Sequence, residues 1–301
     1  MEYIYYKDKK GNFGDDLNAW LWPQLFGEEN ILDNISFFGI GSILHNEAPF
    51  IKTLEGKKKI VFGTGVRASH NLFKVDNSWD IKFVRGPLSS ACLNNDHKYI
   101  ADAAYAIQHL KDFRKIIPVQ KKIYNISLMP YFKSVRFFNW PKICQQLGMH
   151  YISPYSERGV EHTLKEIAAS KYLITEAMHG AILADILRVP WKRFILTTPF
   201  TEGEMISEFK WNDWIQSIKL SKVESTYIKF YRNSILNKII NYASFNAVDT
   251  RYFIKRIVQQ EIISELSKIE EYYLSSDGVM DDINYKMGVE IENLKRAQEL
   301  R

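Results

Sequence analysis

Short apolar runs alternate with amphipathic stretches over the first 115 residues. Residues 3–6, 35–40, 59–62 and 81–84 read as strands, and residues 15–26 read as a helix capped by Asp15 or Asp16. Pro87 opens a further helix in the favoured first-turn position. Strands that alternate with helices imply βαβ units and a mostly parallel sheet. The pattern breaks at the charged, Pro118-containing stretch 112–122, which reads as a linker. A second series follows. Strands are predicted at 123–129, 151–152, 172–175 and 194–196, with helices at 140–147, 160–170 and 179–187, the first closed by Gly148. Two α/β domains, 1–115 and 120–220, would face each other across a cleft. From 221 to 301 the expectation is a helical extension without strands. Apolar stripes at 227–245 and 253–274 and a weaker segment at 285–300 carry it.

Composition narrows the class. Apolar residues make up 46% and charged residues 25% of the 301, the profile of a globular protein. Cys92 and Cys144 have no CxxC spacing and no nearby histidine, so a disulfide framework or zinc site is not expected, and a reducing compartment is. The N-terminal stretch lacks an apolar core of secretory type, and no run approaches a membrane span, so the expected location is cytoplasmic. The net charge is +5, and its distribution is uneven. Lys222, Lys229, Arg232, Lys238, Arg251, Lys255 and Arg256 face only Glu224 and Asp249, while the chain beyond Glu261 turns acidic. This basic stretch, 227–256, could meet anionic lipid or an acidic substrate, or simply be a solvated helix face. Nothing in the pattern suggests nucleic-acid binding.

The candidate chemistry sits where predicted strands end. Glycine turns follow strands at 11–16, 39–42, 63–65 and 85–87. Ligands of open α/β sheets bind at such ends, and glycine lets backbone approach a phosphate. None of these turns is a GxGxxG or a GxxxxGK[ST] motif, so neither a dinucleotide nor a nucleoside triphosphate is indicated. Arg67 and Arg85 stand beside two of the turns, and a guanidinium suits carboxylate and phosphate. His179 falls at a strand-to-helix turn at the mouth of the expected cleft, where an imidazole can hold or deliver a proton near neutral pH.

These pieces occur in a particular order: NFGDDLN (12–18), GIGSIL (39–44), VFGTGVR (61–67), FVRGPLS (83–89), DAA (102–104), MPYF (129–132), TEAMHGAILADILRVPW (175–191) and FKWNDW (209–214). Together they resemble the polysaccharide pyruvyl transferase family over roughly residues 10–220, and the last eighty residues carry no matching motif. The resemblance implies two Rossmann-like domains in a GT-B-like arrangement with the site in the cleft. It implies phosphoenolpyruvate as donor substrate, no other cofactor and no metal, and a sugar acceptor that becomes a pyruvate ketal. The acceptor is expected to be a lipid-linked oligosaccharide, met at the inner face of the cytoplasmic membrane.

By position, His179 takes the general acid role, and Asp15, Asp16 or Asp102 would activate the acceptor hydroxyl. Arg67 and Arg85 would grip the donor. Asn12, Gly14, Gly41, Gly65, Tyr131, Met178 and Gly180 are expected to line the substrate site. The chain departs from the family at two places. Ala177 stands where some members have arginine, so donor charge would come from Arg85, Arg67 or Arg188. Tyr131 stands where many relatives have histidine. Two other readings remain open from the sequence: a GT-B glycosyltransferase with a nucleotide-sugar donor, and a non-catalytic assembly factor. The C-terminal stripe could also pair two subunits.

Overall fold

Two parallel sheets organise the molecule. In a computed structural model, residues 1–29, 34–46, 51–67, 73–117, 121–230 and 250–299 are described. The first sheet has β1 (Glu2–Ile4), β2 (Ile35–Phe38), β3 (Lys58–Phe62) and β4 (Trp79–Phe83), in the order β1-β2-β3-β4. Strand alternation sends neighbours to opposite faces. Phe37 and Phe62 pack with Trp22 of α1 (Phe13–Phe26), while Phe38 and Val61 pack with Val84 and Leu54 on the other side. Both faces are therefore covered, as a parallel sheet requires. The helix after β4, α2 (Pro87–Ala91), is short, and α3 (Phe113–Ile116) lies inside the predicted linker.

The second sheet contains β5 (Tyr124–Met129), β6 (His150–Tyr151), β7 (Ser170–Thr175), β8 (Trp191–Ile195) and β9 (Thr226–Tyr227), in the order β6-β5-β7-β8-β9. All its pairings are parallel. The chain moves from β5 to one side and then returns to place β7 on the other. This reversal opens a crevice beyond the carboxyl ends of β5 and β7, the position at which doubly wound sheets bind ligands. Its helices are α4 (Trp140–Leu147), α5 (Val160–Ala168), α6 (Met178–Ile186) and α7 (Glu204–Ser217).

The C-terminal region differs from its sequence expectation. Strands do not stop at 221, because Thr226 and Tyr227 pair with β8 as β9. Two paired residues are too few to give a periodic signal. The predicted helix at 227–245 thus begins as strand and loop, and residues 231–249 lie outside the described residues, including Arg232 and Lys238 of the basic stretch. Next, α8 (Thr250–Ser267) buries Val258, Ile262 and Leu266 with Ile143 of α4 and Phe194 of β8. These stripe residues are covered by the chain itself. Tyr273 then bridges antiparallel to Trp191. Finally, α9 (Asp277–Glu299) places Met280, Ile283, Met287, Ile291 and Leu294 in the largest core cluster. It rests against the 3₁₀ segment Ala103–His109, where His109 Nε2 lies 3.1 Å from the Asn284 carbonyl. Among the described residues no helix is long and apolar enough to cross a membrane.

Candidate active site

A cavity of about 860 Å³ opens where the strand ends of the two sheets meet. The first half contributes the segment after β1, the start of α1, the turn after β2, Arg67 and Arg85. The second half contributes Met129, Tyr131, the turn from Ala177 to Gly180, and a wall from Thr201 to Lys210.

His179 is the second residue of α6, delivered by the turn that follows β7. Its ring lies against the first turn of α1. A Cβ at Gly14 would fall 2.1 Å from His179 Nδ1, so only glycine allows this approach. His179 Nε2 stands 3.9 Å from Asp102 Oδ1. Asp102 is wholly buried, and its Oδ1 also accepts from the Ala104 amide at 3.0 Å, capping the 3₁₀ segment. Burial pushes the His179 pKa down to about 3, helped by the positive charges of Lys210 and Arg85. Burial likewise raises Asp102 to about 6, against the pull of Arg85.

The opening of α1 shapes the other side. Asn12 is its N-cap and accepts from the Gly14 amide, where the sequence had pointed to Asp15 or Asp16. Asp15 lines the cavity and accepts from Asn12 Nδ2 at 2.6 Å. Burial lifts its pKa to about 7; Lys210 opposes the rise and Asp16 adds to it. Asp16 does not line the cavity. It accepts from the Asn12 amide at 3.1 Å and from the Ser156 hydroxyl, tying the start of α1 to the second half.

Arg85 ends the first sheet and is only 1% exposed. Its Nε donates to Asp213 Oδ2 at 3.0 Å, and its Nη1 donates to Ser42 Oγ at 2.7 Å and to the Gly41 carbonyl at 3.3 Å. Gly65 does not line the cavity but makes room for this group, since a Cβ there would meet Arg85 Nη2 at 2.3 Å. Three buried atoms at this end find no hydrogen-bond partner among the described residues: Arg85 Nη2, Asp102 Oδ2 and His179 Nε2. Buried polar atoms are almost always paired, so unpaired ones beside a cavity mark a place for a polar ligand.

The remaining wall is held by carboxylates. Glu176 accepts from the amides of Leu196, Thr197, Thr198 and Tyr131 and from the Ser134 hydroxyl, joining the loops after β5, β7 and β8. Lys210 pairs with Glu202 at 2.5 Å and lies over the Tyr131 ring, 5.8 Å from its centre. Burial, with Glu202, Asp15 and Glu176 nearby, drives the Tyr131 phenol far above its ordinary pKa, so it is a hydrogen-bond donor and not a base.

The cavity therefore gathers Asn12, Gly14, Asp15, Gly41, Arg67, Arg85, Tyr131, Met178, His179 and Gly180. Asp102 backs His179 from beneath. Arg188 is elsewhere: it binds Ser275 and Asp277 and so cannot replace the arginine missing at Ala177. Sequence reasoning passed over Lys210, Glu202, Glu176 and Asp213 as site residues. Their signal was present, since FKWNDW holds Lys210 and Asp213 and TEAMHG holds Glu176.

Residues 3–191 match the family described as polysaccharide pyruvyl transferase. The chain is 36% identical over 221 residues to the succinoglycan biosynthesis protein ExoV of Rhizobium meliloti, covering 72% of this chain and 65% of that protein. The match thus spans less than two thirds of the relative's length. Among solved structures, the chain is similar to an uncharacterized Klebsiella pneumoniae protein at 16% identity, with 75% of this chain and 92% of that one covered and a TM-score of 0.45. It is also similar to the wall teichoic acid polymerase TagF at 10% identity, with 92% of this chain and 75% of that one covered and a TM-score of 0.35. At such scores no fold assignment follows from either likeness.

Proposed function

The chain belongs to the polysaccharide pyruvyl transferase family, and we propose that it transfers the pyruvyl group of phosphoenolpyruvate to a sugar of a surface-polysaccharide precursor. The observation that carries this reading is the pair of unpaired buried atoms of Arg85 and His179 at one cavity, with the unpaired Asp102 carboxylate oxygen beneath it. Arg85 offers a donor that fits a carboxylate or phosphate oxygen. In the same cavity lie a neutral imidazole, His179, and the carboxyl of Asp15, whose pKa burial lifts to about 7, the pair that addition to an enol requires. In this reading the two sheets are two Rossmann-like units in a GT-B-like arrangement, and the cavity is their cleft.

The residues act as follows. Arg85 and Arg67 hold the donor. Asp15, its pKa lifted to about 7, gives its proton to the methylene carbon, which becomes the methyl group. His179, held neutral, accepts the proton of the attacking sugar hydroxyl. This exchanges the roles expected from sequence: burial and the positive charges of Lys210 and Arg85 keep the free imidazole neutral, and the negative charge of the bound donor offsets those charges so that the ring can take up the hydroxyl proton. The first hydroxyl bonds to the central carbon, phosphate leaves with the bonding pair, and a second hydroxyl closes the ketal. Of the two hydroxyl protons, one restores Asp15 and one departs with phosphate. Arg85 and Lys210 stabilise the leaving charge. The acceptor we assign is a lipid-linked oligosaccharide at the cytoplasmic membrane face.

Thermal unfolding with phosphoenolpyruvate, in parallel with nucleotide sugars, tests the donor. A ligand at about one hundred times its Kd stabilises the fold by about 2.7 kcal/mol. A response to phosphoenolpyruvate alone supports the reading, and a response to a nucleotide sugar alone replaces it with glycosyl transfer. Labelled phosphoenolpyruvate then reports the acceptor: label in the lipid extract supports a lipid carrier, and label confined to the water-soluble fraction refutes it.

A further inference from the structure

We propose that Asp213 is the positioning residue that aims Arg85 into the cavity, with Ser89 as its support. The identity of the anion held by Arg85 rests on the pyruvyl-transfer reading, whereas the geometry does not. Asp213 lies on α7, 128 residues from Arg85, and is fully buried. It accepts from the Ser89 amide at 2.9 Å, the Ser89 hydroxyl at 2.6 Å and Arg85 Nε at 3.0 Å. Its orientation is therefore fixed before any ligand arrives.

A guanidinium is planar, so two anchored nitrogens determine the third. Asp213 holds Nε, while Ser42 and the Gly41 carbonyl hold Nη1. Among the described residues only Nη2 is left without a partner. The backbone is cleared on both sides of this arrangement: a Cβ at Gly86 would lie 2.0 Å from the Asp213 carbonyl oxygen, and one at Gly65 would lie 2.3 Å from Arg85 Nη2. Asp213 also neutralises a cation that would be costly to bury alone. The consequence is a preset donor toward one oxygen of an anion, presented only when α7 of the second half is docked on α2 of the first.

The test uses the full chain with Asp213→Asn, Ser89→Ala and Arg85→Lys, and phosphoenolpyruvate as probe. Asp213→Asn should weaken phosphoenolpyruvate binding about ten- to hundredfold, the loss of one charge-assisted hydrogen bond, while the KM for acceptor stays unchanged. Ser89→Ala should weaken it by a smaller factor of about three to ten, and it serves where Asp213→Asn fails to fold. A merely structural role would lower Tm and leave the donor Kd alone. A second readout needs no donor: the Arg85 Nε–H NMR resonance, identified by its loss in Arg85→Lys, should shift and exchange faster with solvent in Asp213→Asn and Ser89→Ala. Folded variants with an unmoved resonance and wild-type donor affinity overturn the proposal. If the wild-type protein binds no phosphoenolpyruvate, the donor reading fails by itself, and the resonance alone decides the role of Asp213.

Discussion

Gly14 and His179 share one volume. No side chain at position 14 can coexist with the imidazole where it stands, because the added Cβ would sit 2.1 Å from Nδ1. Gly14→Ala should therefore displace the ring and reduce kcat/KM about as much as His179→Gln does, on the order of 10²–10⁴-fold for a lost proton-transfer group. In a His179→Ala background the same glycine substitution should cost little more. A double-mutant cycle measures this, and additive losses would show that Gly14 acts on something other than the ring.

Titration adds a second expectation. Asp15 rises from an ordinary 3.8 to about 7, so between these values the folded protein keeps a proton that the unfolded chain has released. Its contribution to stability then falls as pH rises through that window. His179 drops from 6.5 to about 3, so there the unfolded chain binds the extra proton and stability falls as pH is lowered. Relative to wild type, Asp15→Asn should gain Tm from pH ~4 to ~7, and His179→Gln should gain it from pH ~6.5 downward. Parallel Tm curves for either variant would mean that group is not perturbed. On the proposed mechanism, in which the protonated Asp15 is the working form, kcat/KM should also decline above pH ~7.

At the scale of elements, α7 shows what the sequence could and could not disclose. The strands of both sheets except β9, together with α1 and the His179 turn, are legible because their apolar positions follow simple periods and are bounded by glycine or proline turns. In contrast, α7 buries Ser207, Asp213 and Ser217 together with Trp211, Trp214 and Ile215. A helix with polar residues on its inner side has no apolar stripe to detect. Asp213 is inside because Arg85 neutralises it, and a pairing across 128 residues leaves no local trace. The cap of α1 was misassigned for a related reason: adjacent Asp15 and Asp16 both suit a helix start, and only their contacts with Asn12 and Ser156 separate their roles.

Two tryptophans keep α7 in place. Trp214 is fully buried, with its ring 5.0 Å from that of Trp191 and 5.9 Å from that of Trp211. Trp214→Ala should cost about 3–5 kcal/mol in chemical unfolding. Since Lys210 and Asp213 ride on the same helix, donor affinity should fall with it, although Trp214 is not among the cavity-lining residues. A destabilised variant that still binds phosphoenolpyruvate as wild type does would show that the helix keeps its register without this anchor.

At the scale of the molecule, the halves are joined beneath the cavity as well as around it. Asp185 on α6 is wholly buried and accepts from the Tyr105 hydroxyl of the first half at 2.8 Å. It also accepts from the amide and hydroxyl of Ser275, just before α9, at 2.8 and 2.7 Å. One carboxylate thus ties together the first half, the helix that carries His179 in its first turn, and the returning C-terminal helix. Removing it strands these donors in the interior, each costing about 1–3 kcal/mol. Asp185→Ala should lose about 3 kcal/mol or more in urea unfolding, and Asp185→Asn less, because the amide oxygen still serves the Ser275 amide. With α9 supplying core residues against the first half while α8 packs on the second, the protein should unfold in one transition, followed by far-UV and tryptophan signals together. Two separated transitions would mean that the halves fold independently and that His179 is positioned by its own sheet alone. A single transition, displaced by Asp185→Ala with loss of activity, would place the setting of the imidazole in the whole chain, including the C-terminal residues that carry no family motif.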